Sequence, residues 1–120
     1  MSKHATEYLI NDVDTHVTET PDLWVDRVPS SMRDRVPYVK RDRADRDAWY
    51  LGDKKLAVAG LTATAGRGDM MSWPATYADM HPGAYDASER LKYMDEMGIW
   101  SMVLYPNVAG FGNQEQEHAQ

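Results

Sequence analysis

The chain has 120 residues, which is the size of one ordinary domain, and its net charge is −6 at pH 7 with His neutral. The acidic balance argues against non-specific binding to nucleic acid or to anionic membranes, because both need a basic surface. The sequence has no Cys, no apolar run near the roughly 20 residues of a transmembrane helix and no apolar leader, so we expect a cytoplasmic protein.

Acidic residues and one His stand at the end of the first predicted strand, residues 8–17. Side chains alternate between the faces of a strand, so the run Asp-Val-Asp-Thr-His places Asp12, Asp14 and His16 on one face. Carboxylate oxygen and imidazole nitrogen are the usual ligands of Zn²⁺, Mn²⁺ and Fe²⁺. Asp14 and His16 are therefore candidates for binding one metal ion, and Asp12 is a candidate for capping a turn. The alternative for the whole motif is a hydrogen-bonded pair on the surface.

A long excursion over residues 18–84 follows this strand. Its first elements are two short helices and a β-hairpin or small meander, predicted over residues 22–28, 29–35 and 37–60. Gly and Pro interrupt residues 60–84 and exclude a long element there. Within this part, the Gly-Arg-Gly at residues 66–68 lacks the Gly-Lys-Ser/Thr ending of a phosphate-binding loop.

A helix is predicted over residues 85–98. Asp86 is a suitable N-cap, Glu89 completes a capping box, and Gly98 is placed to end the helix in the left-handed conformation. Apolar residues recur at helical spacing and predict one buried stripe, formed by Ala87, Leu91, Met94 and Met97.

Residues 99–106 follow at once as an almost continuously apolar strand, which is typical of a strand covered on both faces. Strand, excursion, helix and strand make a βαβ unit, in which the two strands run parallel and are joined by a right-handed crossover. Parallel strands end on the same side of a sheet. We therefore expect His16 and Asn107 at one mouth, where α/β proteins build their sites.

These residues resemble the amidohydrolase superfamily, and in particular its amidohydrolase-2 branch, which includes aminocarboxymuconate-semialdehyde and resorcylate decarboxylases. Residues 12–19 are similar to the first strand of that branch, residues 83–99 to its first barrel helix and residues 103–107 to its second barrel strand. The likeness covers residues 8–112. It extends in type and order to Trp24, Pro29, Arg33, Pro37 and Trp49.

The resemblance implies an α/β fold, the N-terminal part of a (β/α)8 TIM barrel, with one divalent metal at the C-terminal mouth. Asp14 and His16 would be its ligands from the first strand, with Zn²⁺ favoured and Mn²⁺ or Fe²⁺ as alternatives. Glu19 and Asn107 would lie at the mouth near the metal or the substrate. The alternative for Glu19 is a carboxylate at a turn or helix start. The implied full-length protein is a homo-oligomeric hydrolase or decarboxylase of a small carboxylate or carbonyl-containing substrate.

The chain also departs from the family pattern, because such barrels need about 250 residues. The other metal ligands and the proton-carrying Asp would lie beyond residue 120, since His81 is in a loop and His118 in a polar tail. By itself the chain is expected to be an inactive fragment. The alternative is a non-catalytic α+β interaction module, which the Met- and Trp-rich residues 70–80 favour. A third hypothesis, an iron site of the His-x-Asp type, is disfavoured by the reversed order of the motif.

Overall fold

The computed structural model describes residues 8–69 and 71–108. Within these residues the strands are β1 (Ile10–Val17), β2 (Tyr38–Arg41), β3 (Asp47–Leu51), β4 (Lys54–Val58) and β5 (Ile99–Pro106). The α-helix is α1 (Ala87–Met97), and shorter 3-10 helices span Ser30–Arg35, Tyr77–Asp79 and Pro82–Ala84. Within the described part of the chain, no helix is long and apolar enough to cross a membrane.

β1 and β5 pair in parallel and form a two-stranded sheet, with α1 placed directly before β5. The predicted helix and the parallel pairing are both present, and the α/β class is confirmed. The Asp86 carboxylate caps α1 by accepting a hydrogen bond from the Glu89 N–H at 2.9 Å. Gly98 ends the helix with a φ of 71°, a left-handed conformation that favours glycine.

β2, β3 and β4 form a separate antiparallel sheet in that order, which is the meander expected from the sequence. Asp42 closes the connection between β2 and β3, because its carboxylate accepts hydrogen bonds from Lys55 Nζ at 2.6 Å and Arg46 Nε at 3.1 Å. The Lys55 hydrogen bond, together with those from Arg46 and the Ala44 N–H, holds the pKa of Asp42 well below its usual range.

The core lies in the excursion rather than around β1 and β5. Its buried members are Trp49, Ala59, Ala63, Met80 and Val108. Trp24 packs edge-on against Trp49, with ring centroids 5.4 Å apart. Val108, which follows β5, is 1% exposed, so the end of the parallel sheet is anchored in the core of the excursion.

β5 is not covered on both faces, and that prediction is wrong. Trp100 is 68% exposed, and Val103 and Leu104 are each 46% exposed. The apolar sequence is that of an inner strand, but the residues described here supply only β1 as a hydrogen-bonded neighbour of β5. An apolar strand that lacks a neighbour on its free edge and a layer over one face remains accessible to solvent.

The buried stripe predicted on α1 is also wrong, since Leu91 is 61% exposed and Met97 is 55% exposed. The partly buried side of the helix carries Arg90, Tyr93 and Met94, at the i, i+3 and i+4 spacing of one helical face. This face packs on the sheet because Arg90 reaches the backbone of β1. On the other side of α1, the apolar side chains Leu91 and Met97 are not covered by another element among the residues described.

Candidate functional site

A register shift interrupts β1 within the acidic motif. Asp12 pairs with Met102 and Thr15 pairs with Leu104, so β1 has one more residue than β5 between these pairs. Met102 and Leu104 are two positions apart and share a face, which places Asp12 on the same face as Thr15. The strict alternation expected from the sequence is therefore interrupted between Asp12 and Thr15, although Asp12, Asp14 and His16 line the same cavity.

Asp14 and His16 remain neighbours at the C-terminal end of β1. His16 Nε2 lies 3.8 Å from Asp14 Oδ1. The Asp14 side chain is 84% exposed and the His16 side chain 35% exposed, so both can be reached by a ligand. Asp12 instead accepts a hydrogen bond from the Asp14 N–H at 3.1 Å, as an Asp that caps a turn does. The His16 ring lies 5.9 Å from that of Tyr105 on β5.

Arg90 fixes the backbone of β1 next to this pair. Its Nη2 donates to the His16 carbonyl oxygen at 2.8 Å, and its Nη1 approaches Thr15 Oγ1 at 3.4 Å and Met102 Sδ at 3.5 Å. Burial lowers the pKa of Arg90, and the nearby charge of Asp12 opposes that shift. The charged side chain thus holds the end of β1 against α1.

Glu19 joins the segments that follow the two parallel strands. Its Oε1 accepts hydrogen bonds from the Asn107 N–H and the Val108 N–H, both at 3.0 Å. The Asn107 side chain donates to the Ala59 carbonyl oxygen at 3.1 Å, and the Tyr77 hydroxyl donates to the Glu19 carbonyl oxygen at 2.5 Å. The structure therefore brings Glu19 and Asn107 together after β1 and β5, while their predicted role towards metal or substrate stays a prediction.

A cavity of about 260 Å³ opens beside β1. Its charged and imidazole-bearing lining residues are Asp12, Asp14, His16, His81 and Arg90. Its polar lining is completed by Thr15 of β1, Thr62 and Thr64 of the excursion and Tyr93 of α1. The excursion is thus part of the cavity that contains the Asp14–His16 pair.

Sequence reasoning missed two residues of this cavity. The sequence places His81 in a loop, whereas the structure places it in the lining of the cavity that contains Asp14 and His16. Arg90 lies off the apolar stripe of α1, which was expected to face inward. A charged residue next to a predicted apolar stripe gives no signal in the sequence that it packs on a strand.

Asp14 and His16 fit part of a metal site. Two ligands of one tetrahedral ion lie roughly 3.3 Å apart at ordinary zinc–ligand bond lengths, close to the 3.8 Å observed. Within residues 8–69 and 71–108, no group of three His, Asp or Glu side chains stands close enough to hold a metal ion. The pair therefore supplies two donors, whereas a catalytic zinc site typically has three from protein.

Comparison with known proteins gives a structural relationship. No family model matches the chain, and the comparison with curated proteins gives no match. The fold is similar to the crystal structure of an amidohydrolase from Mycobacterium avium subsp. paratuberculosis K-10, with a TM-score of 0.57 and 21% sequence identity. The chain shares its fold with part of an amidohydrolase. The match covers 86% of this chain and 31% of that chain, so this chain spans under a third of the solved protein.

Proposed function

We propose that this chain belongs to a metal-dependent hydrolase or decarboxylase of the amidohydrolase-2 branch and forms the N-terminal part of its (β/α)8 barrel. The observation that carries the proposal is the Asp14–His16 pair, 3.8 Å apart at the C-terminal end of a parallel strand. The ends of parallel strands are where barrel enzymes place their chemistry. The partial match to a solved amidohydrolase supports the same assignment.

In the proposed site, Asp14 and His16 bind one divalent ion, with zinc favoured by the mixture of oxygen and nitrogen donors. The bound ion would polarise a substrate carbonyl or carboxylate, or lower the pKa of a water molecule. His16 must be neutral to act as a ligand. Arg90 holds the His16 carbonyl at 2.8 Å and thereby fixes the backbone that carries the imidazole.

In this proposal Glu19 positions the backbone segments that lie near the metal. By binding the Asn107 and Val108 amides, it fixes the distance between the ends of β1 and β5. A substrate that reaches the metal would meet Asn107 at the neighbouring strand end. The substrate we propose is a small molecule with a carboxylate or carbonyl group, and further ligands and the proton carrier would come from later strands.

A non-catalytic interaction module is the second candidate. The observation that favours it is the exposed apolar surface of β5, where Trp100 is 68% exposed, together with the two-donor set at Asp14 and His16. Large exposed apolar patches often mark protein interaction surfaces. The same exposed surface is expected if β5 is a barrel strand whose next neighbouring strand is not among the described residues.

Calorimetric titration of Zn²⁺ into the chain distinguishes these candidates. We expect one ion to bind per chain, and His16→Ala and Asp14→Asn to weaken binding by at least about tenfold, because each removes one of two donors. Asp53→Asn, in the exposed β3–β4 turn, removes the same charge away from the site and should leave the affinity unchanged. Equal binding by Asp14→Asn would contradict a metal site at this pair, whereas absence of zinc binding would favour an interaction module or a fragment that needs the ligands of later strands.

A further inference from the structure

His81 is held in one orientation by its surroundings. Its Nδ1 accepts a hydrogen bond from the Gly83 N–H at 3.0 Å, and its ring meets the Tyr93 ring edge-on at 5.4 Å. A Cβ at position 83 would come within 3.0 Å of the same Nδ1, so glycine permits this close approach. An imidazole nitrogen that accepts a hydrogen bond carries no proton, and the neutral ring is therefore protonated on Nε2.

We propose that His81 is a substrate-binding residue of the cavity and that its Nε2–H donates a hydrogen bond to a carboxylate oxygen of the substrate. The inference rests on the proposed metal function and deepens it, since it assigns the contact between the excursion and the substrate. The carboxylate would lie between His81, on one wall of the cavity, and the Asp14–His16 pair on β1.

The net charge of the cavity lining favours a carboxylate as the ligand once a metal ion is bound. Asp12 and Asp14 contribute two negative charges and Arg90 one positive charge, so with neutral imidazoles the lining carries a net charge of −1. A divalent ion at the Asp14–His16 pair changes this to +1. A carboxylate is then attracted only when the metal is bound, which couples substrate binding to metal loading.

A buried hydroxyl gives independent support for a polar ligand. Thr62 Oγ1 lies on a cavity-lining residue, is buried and has no hydrogen-bond partner in the structure. A buried polar group without a partner costs about 1–3 kcal/mol, which a bound polar molecule can recover. The volume of about 260 Å³ lies just below that of pockets for drug-sized ligands, so a small molecule fits best.

The test separates the two functions of the His81 ring. His81→Asn keeps an acceptor oxygen near the position of Nδ1 for the Gly83 N–H but removes the distal donor. His81→Gln keeps an N–H donor near the position of Nε2 and loses the anchor. Zn²⁺ and then benzoate are titrated into the wild type, both variants and Lys92→Gln, a control on the exposed side of α1.

We expect benzoate to bind the zinc-loaded wild type and Lys92→Gln, and to bind His81→Asn at least about tenfold more weakly, as loss of a hydrogen bond to a charged group predicts. His81→Gln should bind more tightly than His81→Asn, and zinc affinity should be unchanged in both. Benzoate should also shift the His81 Nε2 resonance of the wild type in nitrogen-15 NMR, a result that does not depend on the folding of any variant.

The outcomes distinguish this inference from the function on which it rests. If the wild type does not bind zinc, the inference fails, whereas the proposed function then requires the ligands of later strands. If zinc binds but benzoate does not, or if benzoate binds His81→Asn and the wild type equally, the inference is overturned and the metal site stands. An unshifted His81 Nε2 resonance at saturating benzoate overturns the inference as well.

Discussion

Replacing Glu19 by Gln should weaken the connection between the two parallel strands. The carboxylate accepts the Asn107 and Val108 N–H groups at 3.0 Å, and hydrogen bonds to a charged acceptor contribute about 1.5–3 kcal/mol each. Gln keeps one neutral acceptor oxygen, with hydrogen bonds roughly half as strong, so we expect a loss of about 2 kcal/mol in the free energy of unfolding. Glu19→Ala leaves both N–H groups without their acceptor and should cost about 3–4 kcal/mol.

Urea unfolding followed by tryptophan fluorescence measures this loss, because Trp49 is fully buried in the core next to Val108. The matched control is Glu89→Gln, which removes an exposed carboxylate that pairs with Lys92 at 2.6 Å. An exposed pair of this kind contributes at most about 1 kcal/mol. The reasoning is refuted if Glu19→Gln unfolds within about 0.5 kcal/mol of the wild type, the usual range of surface substitutions.

Two further predictions concern single carboxylates elsewhere in the chain. Asp86→Ala removes the cap that accepts the Glu89 N–H and should cost about 1 kcal/mol by urea unfolding; an unchanged stability would contradict a capping role. Hydrogen bonds from Lys55 and Arg46 lower the pKa of Asp42, so its contribution is complete above its unfolded pKa of about 3.9 and is lost on further acidification. Asp42→Asn should therefore be less stable than the wild type at neutral pH, and the difference should shrink as pH falls below about 4, as unfolding at several pH values can show.

Local signals in the sequence predicted the helix and both parallel strands. The cap at Asp86 and the glycine at position 98 define α1 through backbone hydrogen bonds that involve neighbouring residues only. The register shift in β1 carries no such signal, because it depends on how β1 aligns with a strand far along the chain. The exposure of Trp100 could not be predicted either, because the apolar sequence of a strand does not show which other strands and helices pack against it.

Within the candidate site, the spacing of Asp14 and His16 predicted that they would be neighbours in a regular strand, and they are neighbours even though Asp14 lies within the register shift. His81 and Arg90 were not predicted as site residues. Each reaches the cavity through contacts with residues distant in sequence, such as Arg90 with the His16 carbonyl. Side chains that act through tertiary contacts leave no periodic pattern in one sequence.

The placement of the core in the excursion has a consequence for the order of folding. The meander of β2, β3 and β4 joins residues that are close in sequence, whereas pairing of β1 with β5 brings Ile10 next to Ile99. Closing so long a loop costs more chain entropy before any contact compensates for it. The excursion can therefore serve as the folding nucleus, on which the Asp14–His16 strand end and its neighbour assemble late.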